Sequence, residues 1–598
     1  MPPIFEPRSS SAVTASAPDP RGSYNTFLLF VAGLGGLLYG IDVGIIGGAL
    51  PYLEATSHLD PSQLSSIVAA VLLGSVFSTL FAGSLAELFG RRKMMILSGI
   101  AFSFSIPIIA LSQGFTTLFL GRLLQGMSGG FVGVVVPLYL AECLSADRRG
   151  LGTAAFQWLL TFGIVVAALV GIFFSYRVTA VEQSANADLI YQFKDHAWRS
   201  IFWVSLPPGL LFILGAFFVS ESPRWLFKRG NKEAALKALL RSRGDEQAHT
   251  ELEEMESLAS AGAGAGSMAQ ESLLRRKYII PFLLACLILA CNTGTGINSM
   301  IGFNTAILLQ SGLSDLASHW GYALFTIVNF LATMAGMTLV DKKGRKLLLS
   351  IGSAGVIVAL LGTGLLFRAT ETTSIDLHTA LQARVSSDQS LGITFDRATA
   401  SALLANTGST IDPGRAALSI IYSYGDYTSA TSFVRSDDNA AKPIEITRKD
   451  SIPSNGINSF FTNPFANLEA AQTAPLVIEK ASLSPIPGTR HGWVVALFLY
   501  LFVAFFALGP GVVVWLALSE LMPTRIRSNG MSVALVVNQS ISTTLAAIFL
   551  PFVGRYGYSH MFYVYAAITV VYFLVAVFLL PETKGKTLEE IEAHFAGH

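Results

Sequence analysis

Twelve stretches of this chain are each long and apolar enough to cross a bilayer as a helix, which takes about 20 residues. They fall at 25–48, 64–86, 93–112, 115–140, 152–174 and 198–219, then, after a polar gap, at 278–310, 318–340, 347–367, 492–519, 529–551 and 558–580. Composition agrees with a chain dissolved in lipid. Of 598 residues 52% are hydrophobic and 13% charged, about half the charged share usual in soluble proteins. Mean hydropathy is +0.55. A net charge of +1 supplies no basic surface for nucleic acid. Cys143, Cys286 and Cys291 all lie in apolar runs, with neither zinc nor disulfide spacing. They read as small packing residues, so no cofactor or metal is expected.

Orientation follows from Lys and Arg in the short loops. Basic residues come after span 2 (Arg91, Arg92, Lys93), span 4 (Arg148, Arg149), span 8 (Lys342, Lys343, Arg345, Lys346) and span 10 (Arg525, Arg527), while 51–62 and 311–317 have none. Both termini are therefore expected in the cytoplasm. Residues 1–24, rich in Pro, Ser and Ala, read as a disordered tail, and 581–598 as a second cytoplasmic tail. No small-residue cleavage site follows span 1, which is read as uncleaved.

The two groups of six spans repeat each other. Glu87, Gly90 and Arg91 after span 2 match Asp341, Gly344 and Arg345 after span 8, an offset of 254; Glu142 and Arg149 match Glu520 and Arg527, an offset of 378. The difference, 124 residues, must be an insertion between spans 9 and 10. The expected organisation is a six-helix lobe at 25–220, a cytoplasmic helical linker at 221–277, and a second lobe at 278–367 and 492–580. An extracytoplasmic insert at 368–491 interrupts that second lobe. This is an all-α membrane protein of two pseudo-symmetric lobes, the mark of a transporter.

Within the linker, Asn231 is placed to cap a helix through Leu239, a second helix covers 252–255, and Ala-Gly-Ala-Gly-Ala-Gly at 261–266 reads as a flexible joint. The insert is rich in Ser, Thr, Ala and Asn, and long surface loops cost little entropy. It reads first as a solvated or loosely folded decoration and second as a ligand- or partner-binding cap.

Ionisable side chains deep in a span cost about 2.5–3.5 kcal/mol each on insertion scales, so they are functional candidates. Asp42 in span 1 and Arg122 in span 4 each lie about eight residues from the outer end, roughly 12 Å deep at 1.5 Å per residue. Equal depth and opposite charge make them a pair, either structural or a proton switch: released from Arg122 in an apolar site, Asp42 would take a proton. Polar uncharged residues gather at mid-depth: Gln157, Asn292, Thr293, Asn298, Asn329, Asn538 and Gln539. Amides both donate and accept, which suits a polyhydroxylated ligand, and Trp515 offers a face for a sugar ring. Helix–helix bonding is the alternative, worth about 0.6 kcal/mol per contact. Gly294, Gly296 and Gly302 are placed to loosen span 7 beside its amides.

The sequence resembles the sugar porters of the major facilitator superfamily over nearly its whole length, the tail and the insert apart. The resemblance is carried by Gly-Ile-Asp-Val-Gly-Ile-Ile-Gly-Gly-Ala at 40–49, Gly-Arg-Leu-Leu-Gln-Gly at 121–126 and Glu-Ser-Pro-Arg-Trp-Leu at 221–226. Gly-Ile-Asn at 296–298, Gly-Pro-Gly-Val-Val-Val-Trp at 509–515 and Pro-Glu-Thr-Lys-Gly-Lys-Thr at 581–587 continue it. It implies the major facilitator fold and alternating access around a central hexose or pentose site. Gln157, Asn298, Asn329, Trp515 and Asn538, with Tyr39, fall at the family's sugar-binding positions. It implies that Glu87, Arg91, Glu142, Arg149, Glu221, Arg224, Asp341, Arg345, Glu520 and Arg527 form the cytoplasmic gate. Asp42 falls where proton symporters of the family have Asp and animal facilitators Asn, which favours symport. This chain departs from the family at Asn292 and Thr293 (two Gln), Gly302 and Phe303 (two aromatics), Gln539 (Trp) and Ser205 (an acid in some symporters).

The expected activity is import of a monosaccharide with a proton, by a monomer in a bilayer. A uniporter with a structural Asp42–Arg122 pair and a non-transporting sugar sensor are the alternatives; no nucleophile–base or metal cluster suggests an enzyme. The absence of an available sequon and the compact termini point to a bacterial inner membrane.

Overall fold

A computed structural model of the chain describes residues 20–57, 59–144, 149–184, 186–264, 276–405, 407–438, 443–453, 459, 463, 466–522, 527–584 and 595. Most of the two expected tails lies outside the described residues, and 20–24 are already helical.

Among the described residues twelve helices are long and apolar enough to span a membrane. Spans 1 to 6 are Gly22–Thr56, Pro61–Phe89, Arg91–Ala110, Phe115–Cys143, Ala154–Glu182 and Ala187–Phe218; spans 7 to 12 are Tyr278–Gly302, Asp315–Val340, Arg345–Glu371, Thr489–Trp515, Gly530–Tyr556 and Tyr558–Leu579. Their starts are written in the sequence. Asp60 caps span 2, accepting from the Gln63 N–H at 2.8 Å while Gln63 returns a bond to the Asp60 N–H, with Pro61 in the first helical position. Asn186 caps span 6, which therefore begins eleven residues before its expected start at 198, on an amphipathic stretch that hydropathy alone misses.

Two spans break where glycines were expected to loosen them or where a Gly-Pro step intervenes. The first helix of span 7 ends at Gly294; Gly296 adopts φ +85, and Ile297–Gly302 and Asn304–Gln310 follow as separate turns. Span 10 breaks at Gly509, between Thr489–Leu508 and Pro510–Leu521.

The linker helices are Pro223–Lys228, Lys232–Ser242 and Asp245–Gly264. Asn231 caps the second as expected, accepting from the Ala234 N–H at 3.0 Å. The third is longer than expected and runs through the first four residues of the Ala-Gly repeat, so 261–264 are helix and not a joint. The rest of that joint lies outside the described residues. The linker is fastened to the first lobe: Arg243 donates to the Cys143 and Leu144 carbonyls, and Asn25 to the Ser242 carbonyl.

The insert is a folded α/β unit, which corrects the expectation of a loosely folded decoration and adds sheet to a chain read as all-α. Strands β1 (Ile375–Asp376), β3 (Ala416–Tyr424), β4 (Tyr427–Ala430), β5 (Val434–Arg435) and β7 (Leu476–Pro485) form one antiparallel sheet in the order β1-β7-β3-β4, with β5 also on β3. β2 (Leu391–Ile393) and β6 (Ile444–Ile446) pair separately. Leu418, Ile420, Tyr424, Leu476, Ile478 and Leu483 share a core distinct from those of the membrane helices. The insert seats on both lobes. Arg435 donates to the Leu309 carbonyl at 2.9 Å, the Phe433 ring meets Tyr558, and Ser432 lies beside Glu54 at the end of span 1.

The insert and the linker lie at opposite ends of the helices, and the packing differs between these ends. At the insert side one apolar core runs through both lobes, joining Ile45, Leu53 and Ile164 to Met300, Tyr322 and Phe549. At the linker side the core divides in two. One part belongs to the first lobe (Met95, Val135, Phe212) and the other to the second (Leu289, Val514, Tyr572). The lobes are sealed to each other at the insert side and packed independently at the linker side.

Candidate functional site

Asp42 and Arg122 meet, with Arg122 Nη1 3.7 Å from Asp42 Oδ1 and side-chain exposures of 1% and 0%. Counting eight residues from each end does not account for this, because span 1 continues to Thr56, past its expected end at 48. The contact is one of charge without a hydrogen bond: neither carboxylate oxygen has a donor among the described residues. Arg122 Nη1 donates instead to Gln125 Oε1 at 2.7 Å, and the guanidinium sits 5.5 Å from the Phe202 ring. A buried carboxylate held this way is only partly compensated for its lost hydration.

Beside the pair, Tyr39 lies near Gln539 of the opposite lobe, whose Oε1 is buried without a donor among the described residues. The remaining polar residues divide into two kinds. Asn538 donates to the Leu289 carbonyl at 3.0 Å and to Thr293 Oγ1 at 2.5 Å. Asn292 Oδ1 accepts from the Tyr572 hydroxyl at 3.4 Å, and Asn298 donates to Ser542 Oγ at 2.6 Å. These residues tie span 7 to spans 11 and 12. Gln157 in span 5 and Asn329 in span 8, by contrast, make no side-chain hydrogen bond among the described residues, and Trp515 is 44% exposed. A ligand's hydroxyl groups would find free amides on Gln157 and Asn329.

The charged motifs form two matching clusters on the linker side, each inside one lobe. Arg91, 1% exposed, contacts Glu87 at 2.7 Å and Glu142 at 2.9 Å. Glu221 accepts from the N–H groups of Arg91 and Arg92 at the start of span 3, where positive helix-end charge favours a carboxylate. Ser222 donates to Glu142 Oε2 at 2.5 Å. In the second lobe Arg345 contacts Glu520 at 3.0 Å, Glu582 accepts from the N–H groups of Arg345 and Lys346, and Thr583 donates to Glu520 Oε2 at 2.5 Å. Gly90 and Gly344 stand at φ +99 and +91, and a Cβ on either would run into Glu221 or Glu582. Sequence reasoning missed Glu582, Ser222 and Thr583; the repeated Glu-Ser and Glu-Thr pairs at 221–222 and 582–583 were the available signal. Arg224 is exposed and outside both clusters, and the side chains of Arg149, Asp341 and Arg527 lie outside the described residues.

Burial by itself would raise the Glu582 carboxyl, but the backbone N–H groups of Lys584, Arg345, Lys346 and Thr583 together hold it below the usual carboxylate range. Among the described residues no group of three or more His, Cys, Asp or Glu is placed to hold a metal.

The sequence model of the family described as "Sugar (and other) transporter" matches residues 28–382 and 476–595, which leaves out most of the insert. The chain belongs to this family. It is a multi-pass membrane transporter of sugars with the major facilitator fold, and not an enzyme. Among its relatives are the glucose transporter GlcP of Staphylococcus epidermidis, 26% identical over 95% of this chain and 97% of that one, and the galactose-proton symporter of Escherichia coli K12, 25% identical over 95% and 93%. In fold it resembles the xylose transporter XylE of E. coli, with a TM-score of 0.63 and 19% identity over 94% of this chain and all of that one. Where some symporters of the family carry a second acid, Ser205 is fully buried and donates to the Phe202 carbonyl at 2.6 Å.

Proposed function

We propose that this sugar transporter imports a monosaccharide, a hexose or pentose, together with a proton, by alternating access. The observation that carries the reading is the buried Asp42, paired with Arg122 by charge and accepting no hydrogen bond among the described residues. A proton on Asp42 would remove a buried charge, leave Arg122 held by Gln125 alone and loosen spans 1 and 4 relative to each other. Ionised, Asp42 draws Arg122 back. One side chain thereby links proton occupancy to helix packing, and one charge crossing 100 mV supplies about 2.3 kcal/mol.

The sugar lies between the lobes, bonded by the free amides of Gln157 and Asn329 and stacked on Trp515, with Tyr39 and Gln539 closing over it. Asn292, Thr293, Asn298 and Asn538 shape that site from behind, since they already bond to one another or to neighbouring helices. The basic loops make the linker side cytoplasmic and the insert side external, so the sealed insert side corresponds to a carrier facing inward. The want of an accessible sequon fits a bacterial inner membrane. The two linker-side clusters stiffen each lobe as a unit that rocks against the other.

The relatives' names, one a glucose transporter and one a galactose-proton symporter, support the substrate class. The test is accumulation of labelled pentoses and hexoses by vesicles carrying an imposed proton gradient. Symport predicts accumulation that a protonophore abolishes. Equilibration at the same rate with or without the protonophore would return Asp42–Arg122 to a structural role and leave a uniporter.

A further inference from the structure

Span 8 opens on Asp315 and carries His319 one turn later, at the seal between the lobes. His319 is fully buried. Its ring stacks on Tyr52 of span 1, centroids 5.4 Å apart and planes 11° from parallel. Its Nε2 faces the Gly48 carbonyl of span 1 at 3.2 Å, across the lobe boundary, and its Nδ1 faces the Asp315 carbonyl at 2.9 Å, with Asp315 Oδ1 at 3.5 Å. Asp315 Oδ2 also reaches across the boundary, accepting from the Tyr52 hydroxyl at 2.8 Å and from Ser175 Oγ of span 5 at 2.6 Å.

Both ring nitrogens therefore point at acceptors. A neutral imidazole has one N–H and can serve only one of them; the imidazolium serves both. Charged groups near this turn are Asp315 on the same helix, Glu182 of span 5, Lys194 of span 6 and Asp438 of the insert, with Glu182 and Lys194 paired at 3.1 Å, and the Arg435–Asp437 pair of the insert, whose guanidinium reaches the Leu313 carbonyl.

We propose that His319 is a proton-operated latch of the insert-side gate, separate from Asp42. Protonated, it bonds span 8 to span 1 and holds the gate shut. When the gate opens the ring meets water on the insert side, loses its proton in alkaline conditions, and re-closure then leaves one nitrogen facing a carbonyl without a hydrogen. Its proton returns to the side it came from, so it changes the ease of closing and not the proton count per sugar. The proposal rests on the alternating-access reading but requires neither a particular sugar nor proton symport.

The test uses spin labels on Ser184→Cys and Thr489→Cys, exposed insert-side positions in opposite lobes, with Cys143, Cys286 and Cys291 replaced by Ala. Distances are measured by double electron–electron resonance from pH 5 to 8 without sugar. We expect the separated population to grow relative to the closed one by roughly tenfold or more across this range, as one charge-assisted hydrogen bond is lost. His319→Gln should flatten that response, and the loss should be as large in an Asp42→Asn background, which takes the other buried proton site out of the measurement. Asp315→Asn, which retains an acceptor for Tyr52 and Ser175, should move the midpoint to lower pH and serves if His319→Gln does not fold. A His319→Gln protein that shifts with pH as the parent does, or an unmoved midpoint in Asp315→Asn, overturns the latch. A pH-dependent opening in a protein that transports none of the sugars tried leaves the latch standing and the sugar reading wanting.

Discussion

Removing Arg122 while keeping Asp42 strands a carboxylate with 0% side-chain exposure and no hydrogen-bond donor among the described residues. Arg122→Ala should therefore destabilise the protein by about 3–5 kcal/mol, the usual cost of breaking a buried pair from one side. The double variant Arg122→Ala with Asp42→Asn should recover much of that loss, because the charge left behind is gone. Thermal unfolding in detergent reads both; equal melting temperatures for the single and double variants would contradict the pairing. Glu582 makes a pH prediction. Its carboxyl is held below its usual range by backbone N–H groups, so its contribution is present above the unfolded value of about 4.3 and fades as pH falls through the lower folded value. Stability of the parent should decline below that pH more steeply than that of Glu582→Gln, with no difference in slope near neutrality. Asp42 and Arg122 were legible in the sequence because two opposite charges in apolar helices have few other partners. The amides were legible only as a group, since sequence does not say that Asn538 turns to Leu289 and Thr293 while Gln157 and Asn329 remain free. Asp315 and His319 were passed over because an acid at a helix start reads as a cap, and only the folded chain shows it receiving bonds from the other lobe.

Spans 2 and 4 pack so closely that a Cβ on Gly126 would be driven into the Val71 carbonyl oxygen. Backbone cannot yield as a flexible side chain does, so Gly126→Ala should force the helices apart at a cost of about 1–3 kcal/mol, seen as a lower melting temperature. An unchanged melting temperature would mean that the two helices can slide. All twelve spans were legible from apolar length, because lipid leaves few alternatives. Their ends were less so: the continuation of span 1 to Thr56 and the amphipathic start of span 6 at Ala187 are helix that hydropathy does not mark. The sheet in the insert escaped for a different reason. All nine residues of β3 are buried, so the alternation that signals a strand with one wet face is absent there, and β1 and β5 have two residues each.

Across the whole molecule, one core joins the lobes at the insert side while two serve them separately at the linker side. That asymmetry suits rocking about a central site, and the insert lies over the sealed end with contacts to both lobes through Ser432, Phe433 and Arg435. The repeat between the lobes predicted the paired charge clusters, and the 124-residue offset placed the insert; its fold and its seat across both lobes needed coordinates. The central claim is that sugar and proton move together through Asp42. It is tested most directly by recording external pH while sugar enters proteoliposomes, with Asp42→Asn in parallel. The account predicts sugar-dependent alkalinisation outside for the parent, absent in Asp42→Asn although that variant still exchanges labelled for unlabelled sugar. Sugar entry by the parent with no movement of protons would contradict it.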